Sequence, residues 1–378
     1  MRTATRREPI SFITPSGISN VDFVCSAAGC GLFRSERCLK ETERRILMEQ
    51  WRRRVRDVYQ TKALEESVKR ILAAIAGLVM GACGNATFET TVNNNGSVTI
   101  TKYLSREPVV EIPLRITGKP VTGIGNEAFS VRELTDIIIP DSIVSIGERA
   151  FYGNRLTSVV IPDSVDSIGE RAFSDNQLTS IVIAKGVASI GAWAFFRNPL
   201  TSLVIPEGVA SIGEYAFSEN MLTSVVIAEG VVSIGERAFF KNQLTNVIIP
   251  DSVESIGIWA FYSNQLTNVT LGKSVVSIGD RAFAHNRLTS LVVPDSVESI
   301  GMGAFSDNQL TSLVLPDGLA FIGERAFYGN RLTSVTLGAN VSLGDNALDE
   351  EFNRYYDNNK RRAGTYTLRN TEWRLVVQ

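Results

Sequence analysis

From Gly84 to Gln378 the chain has no cysteine, and the whole sequence carries one histidine, His285. A chain this poor in both residues has neither the half-cystines of a disulfide scaffold nor the clustered ligands of a His/Cys metal site. Neither G-x-S-x-G nor G-x-x-x-x-G-K-[ST] occurs, which removes the two commonest sequence signs of acyl transfer and phosphate binding. Uncharged apolar runs are short of the roughly 20 residues that a spanning helix needs. No cofactor, metal or small-molecule substrate is expected, and no catalysis.

What the sequence does have is a period. Leucine recurs every 22 residues from Leu134 to Leu332, and phenylalanine in the same phase from Phe129 to Phe327, with no insertion. Units of this length bury their apolar faces only against their neighbours, so the chain is a solenoid. In the unit Leu178–Pro199, alternation sends Ile181 and Ile183 inward and Ser180 and Val182 outward. Proline closes many of these strands because it has no N–H to extend a sheet. Val187 and Ile190 are inward anchors, and Gly191 allows either a positive φ or close approach of the next coil. Ala194-Phe195 predicts a short helical or 3₁₀ turn with the ring in the core. An asparagine row, Asn154 to Asn330, is expected to hydrogen-bond turn backbone that would otherwise be buried unpaired.

The wording L-T-S-[VIL]-[VIT]-[IVL]-P-[DE]-[SG]-V-x-S-I-G-[ED]-R-A-F-x-x-N resembles the BspA-type leucine-rich repeat, found in bacterial and often surface-exposed proteins. The resemblance runs from about Ala86 to Gln378. It implies a mainly-β, α/β-type leucine-rich-repeat solenoid, a horseshoe with one parallel strand per repeat and short helical or 3₁₀ turns. It also implies adhesion to host or neighbouring-cell proteins. Ten strands at about 4.8 Å spacing would build a sheet roughly 45–50 Å along the stacking axis.

The expected divisions are residues 134–349 for the solenoid, 84–133 for an N-terminal hairpin and irregular first repeat, and 350–378 for an aromatic-rich closing cap. Residues 1–83 differ in kind, with 15 Lys+Arg against 9 Asp+Glu, a net of +6. Residues 84–378 carry the remaining 23 against 31, a net of −8. Residues 68–83, Val-Lys-Arg followed by an apolar run and Gly-Ala-Cys, read as a lipoprotein-type export signal with Cys83 as the lipidated residue. Residues 1–67 then read as an upstream extension, disordered or not native, with translation beginning near Val68. An export signal behind the basic run Trp51–Arg56 argues against nucleic-acid binding. The location implied is the bacterial envelope, lipid-anchored, on its surface or periplasmic side.

Two surfaces are candidates for contact. The outward ladder Val160, Val182, Val204, Val226, Ile248, Thr270, Val292 and Val314, on the sheet read as concave, is longer than an apolar stripe that a monomer usually leaves to water. It fits a protein partner or a second copy of the chain. Trp193, Tyr215 and Trp259 form an outer aromatic set, a platform for carbohydrate or peptidoglycan if their faces are free. The acidic row from Asp141 to Asp317 reads as a solvated edge, broken by Lys185 and Lys273. His285 occupies a slot where other repeats place Gly, Asp, Glu, Arg or Lys, and is expected to be solvated.

Overall fold

The computed structural model describes residues 87–376. The extension, the export signal and Cys83 lie outside them. A typical coil is built from an outward-looking strand, a short strand that is mostly Ser-Ile and a turn segment, wound around one apolar core.

The sheet that runs the length of the solenoid is made by the short strands. Ser189–Ile190 lies between Ser167–Ile168 and Ser211–Ile212, in register, and this pattern repeats to Ser342–Leu343. An antiparallel hairpin, Phe88–Val92 with Val98–Tyr103, closes its first edge. The longer strands, expected to form one sheet, instead pair mostly in twos. Ser158–Ile161 bonds Ser180–Ile183, Ser202–Ile205 bonds Ser224–Ile227, and Asn246–Ile248 bonds Asn268–Thr270.

In the middle of the solenoid, proline marks where neighbouring coils part. The N–H just after a strand reaches back to the preceding coil, as in Ala184 to the Ile161 carbonyl (3.2 Å) and Ala228 to Ile205 (3.1 Å). Pro206 and Pro250 stand at that position in the next coils and donate nothing, so the ladder opens before each of them. Pro294 does the same, leaving its strand with only a bridge from Val292 to Val314. At these positions proline both ends a strand and uncouples it from the coil before, whereas at Pro140 the strand Asp136–Ile138 still pairs with Val109–Glu111.

The turn segments are successive hydrogen-bonded turns rather than helix. Ala194 N–H donates to Gly191 and Phe196 N–H to Trp193, while Trp193 and Phe195 donate across to the next coil. Two residues per turn are left-handed, for example Trp193 (φ 61°) and Arg197 (φ 52°). Gly191 is not among the left-handed residues. A Cβ there would stand 2.6 Å from the Ile168 carbonyl oxygen, so close approach of the preceding coil is what requires glycine.

Two internal rows bind coil to coil. Phe129 through Phe327 form a continuous ring stack with neighbouring centroids 5.0 to 5.6 Å apart. The asparagines from Asn154 to Asn308 are buried, Asn330 is partly buried, and each bridges coils. Asn198 Oδ1 accepts from the Leu178 N–H (3.0 Å) and its Nδ2 donates to the carbonyls of Phe173 (3.0 Å) and Phe195 (3.2 Å).

The last coil is covered by a helix, Glu350–Asn358, and a hairpin, Gly364–Arg369 with Glu372–Val376, which adds antiparallel to Ser334–Leu337. Asp349 caps the helix and also accepts from the Trp373 indole (3.1 Å). Phe352, Tyr356, Tyr366 and Trp373 are buried there. Burial, assisted by the neighbouring Tyr356 and Tyr355, pushes the Tyr366 phenol from its usual 10 up to about 12. A raised folded value means the stabilisation is complete below pH 10 and is lost as pH climbs toward 12. We expect the cap to loosen in that window, with tyrosinate absorbance appearing together with loss of Trp373 fluorescence anisotropy. Tyr366→Phe should remove that alkaline step, and a Tyr366 that titrates at its ordinary value would contradict the assignment.

Candidate functional site

The outward ladder is uneven. Val160, Val182, Val204, Val226 and Ile248 are half-buried, whereas Thr270, Val292 and Val314 are exposed. Val292 is 80% and Val314 65% exposed, the most open of the ladder's apolar side chains. Val292 is joined to the sheet only by its bridge to Val314, and both lie toward the C-terminal end of the ladder, so the apolar contact surface concentrates there. The expected uniform stripe on one continuous sheet is corrected in this respect: the sheet is divided, and the open part is local.

The outer aromatics are not free platforms. Trp193 stacks on Tyr215 with centroids 3.9 Å apart, and Arg171 lies over the ring from the preceding coil (5.1 Å). Arg237 lies between Tyr215 (5.1 Å) and Trp259 (3.8 Å), and Arg281 approaches Trp259 from beyond (5.8 Å). Each ring is thus flanked in the coil before and the coil after. Burial pushes the Tyr215 phenol up, against the pull of Arg237. Such cation–π contacts contribute about 0.5–1 kcal/mol each at exposed sites, so the row braces the turn face.

The charged rows are likewise structural. Asp163 Oδ1 accepts from the Lys185 N–H and Asp251 Oδ1 from the Lys273 N–H, both at 2.9 Å. His285 is exposed, with Nε2 3.4 Å from Asp307. Among the described residues no group of three His, Cys, Asp or Glu is placed to hold a metal ion, and no helix is long and apolar enough to cross a membrane.

Two grooves lie on the turn face, and of the expected site residues only Trp193 lines either, at the edge of the first. One, of about 420 Å³, is lined by Arg149, Tyr152, Arg171, Ser174, Asp175 and Phe196 among others. The other, of about 230 Å³, includes Arg281, Ser306, Asp307, Glu324, Arg325 and Tyr328. A signal for them lies in the sequence: Gly147–Val159 and Gly323–Val335 are the same 13 residues, G-E-R-A-F-Y-G-N-R-L-T-S-V.

The model of the BspA-type leucine-rich repeat region matches residues 122–243 and 232–353, in six copies. The chain belongs to the BspA-type leucine-rich repeat family. As a BspA-type protein it shares its fold with a leucine-rich repeat protein of Bacteroides ovatus, 26% identical with a TM-score of 0.58, over 71% of this chain and 80% of that one. The pneumococcal vaccine antigen PcpA is 21% identical, with a TM-score of 0.46 over 71% of this chain and 86% of its own. The T. pallidum leucine-rich repeat protein is 25% identical, with a TM-score of 0.40 over 48% of this BspA-type chain and 89% of its own. None of the curated proteins matches the sequence.

Proposed function

We propose that the chain is a non-enzymatic, adhesin-like binding protein of the bacterial envelope that engages a protein partner through the open end of its outward ladder. The observation that carries this reading is the pair Val292 and Val314, adjacent, in bridge contact and 80% and 65% exposed. Their neighbours on the same face are small and polar, Ser290 and Ser312, a combination that suits a protein contact with an apolar centre and a polar rim. Membership of the BspA-type family supports the same reading. Anchoring through lipid on Cys83 completes it, with the solenoid carried away from the membrane.

Because both valines point out, charge can be placed there without disturbing the core. Val292→Asp with Val314→Asp should leave circular dichroism and melting unchanged. It should also lower binding to the protein partner by at least about tenfold, the scale of a contact centre. Immobilised host matrix proteins and the chain itself are the partners to measure, the latter by sedimentation. Protease treatment of intact cells tests the exposed location. A double variant that binds every protein partner as the parent does would end this reading, as would a chain shielded from protease.

A further inference from the structure

We propose that the two Tyr-Gly grooves are matched subsites for an acidic polysaccharide. The row that holds Tyr152 and Tyr328 also holds Phe196, Phe240 and Tyr262, and the latter three are covered. Phe196 meets Trp193 and Arg197, and Phe240 and Tyr262 stack on each other with Trp259 and His285 beside them. No ring or guanidinium among the described residues stacks on Tyr152 or Tyr328. Tyr328 is 53% exposed and Tyr152 is half-buried with its face on the groove. Each is followed by a left-handed glycine, Gly153 (φ 65°) and Gly329 (φ 74°), where the other turns carry a side chain at the groove rim. Beside these two tyrosines the rim therefore has no side chain of its own, with Val131 the nearest group at Gly153 and the Asp307 carboxylate at Gly329.

Each tyrosine is accompanied by an arginine with spare capacity. Arg149 approaches Glu127 and Glu148 no closer than 3.5 Å, and Arg325 stands 3.6 Å from Glu324. Those separations are long for a charge-assisted hydrogen bond, which leaves the guanidinium donors for a ligand carboxylate. Small Ser130 and Ser306 lie in the row beside the tyrosines and keep the grooves open. The C–H face of a pyranose on the phenol ring, with its uronate on the guanidinium, uses both at once, while its hydroxyls donate to the lining carboxylates Glu127 and Asp175 or Asp307 and Glu324. A planar apolar ligand would leave the guanidiniums and serines unused.

The repetition sets the ligand's length. The tyrosines are 176 residues apart, which is eight coils of 22, or roughly 38 Å at about 4.8 Å per coil. One polymer chain lying along the turn face meets both subsites, and the second contact raises its avidity without any new chemistry. This inference does not depend on the valine ladder, which uses different strands and side chains.

The test is binding of the full chain to immobilised polygalacturonate, to its trisaccharide in solution, and to neutral dextran. Polygalacturonate should bind, the trisaccharide at least about a hundredfold more weakly by loss of bivalency, and dextran not measurably. Tyr152→Ala or Tyr328→Ala alone should cost at least about tenfold, and both together should abolish binding. Arg149→Gln with Arg325→Gln should do the same, while Val292→Asp with Val314→Asp should leave it unchanged. No binding to polygalacturonate, equal binding to dextran, or indifference to the paired tyrosine change would each overturn the proposal. A trisaccharide as tight as the polymer would overturn the two-site part.

Discussion

Asn198→Leu should destabilise the solenoid by about 3–4 kcal/mol while preserving the volume of the side chain. Asn198 is 2% exposed, so neither it nor its partners can turn to water. Its loss leaves the Leu178 N–H buried with no acceptor, which alone costs about 1–3 kcal/mol. The carbonyls of Phe173 and Phe195 keep one donor each, from Asn176 and Asn220, so their loss is partial. Asn198→Asp separates the two halves of the amide: the acceptor for Leu178 survives, but a carboxylate then faces three carbonyl oxygens, those of Phe173, Phe195 and Phe196. We expect it to be at least as damaging at neutral pH and to recover partly in acid, as the carboxyl gains a proton. Chemical denaturation of both variants checks this. A cost below about 1 kcal/mol for Asn198→Leu would show that the amide row does not hold the coils together.

Phe217→Ala is expected to cost about 3–5 kcal/mol, the usual range for emptying a buried phenylalanine site. Phe217 is fully buried between Phe195 and Phe239, with centroids at 5.3 and 5.6 Å. In a repeat array stability is a sum of unit and nearest-neighbour contributions, so weakening both interfaces of one central coil affects cooperativity as well as stability. Calorimetry should show the parent's transition broaden or divide into two, one for each side of the damaged coil. Phe217→Leu should lose less and keep a single transition. An unchanged, single transition in Phe217→Ala would mean that the ring stack adds little coupling between coils.

These two variants also mark what sequence reading handles well. Leucine, phenylalanine and asparagine each hold one position and one job in every unit, so the solenoid, its inward faces and the amide row are all legible. The proline signal is present but says more than the end of a strand. Its absence at Ala184 and Ala228 is what lets those coils bond backward. The closing helix has its signs too, with Asp349 as cap and Phe352 and Tyr356 four apart on one face.

The aromatic set shows a different limit. Trp193 and Trp259 look like platforms because neighbours in sequence do not occupy their faces; residues 22 positions away do. Tyr152 and Tyr328 are marked in the sequence only by the identical stretches that hold them, and a tyrosine among many aromatic slots is ordinary until the other slots prove to be covered.

By itself, then, the sequence determined the period, the inward residues and the backbone groups that need partners. Burial and hydrogen bonding of the repeated residues follow from spacing alone. Only the stacking of coils decided that Val292 and Val314 stand open, that arginines cover four of the aromatic rings, and that Tyr152 and Tyr328 have no ring or guanidinium stacked on them. Exposure on a solenoid is set by the adjacent coil, and contacts of that kind are written in no single repeat.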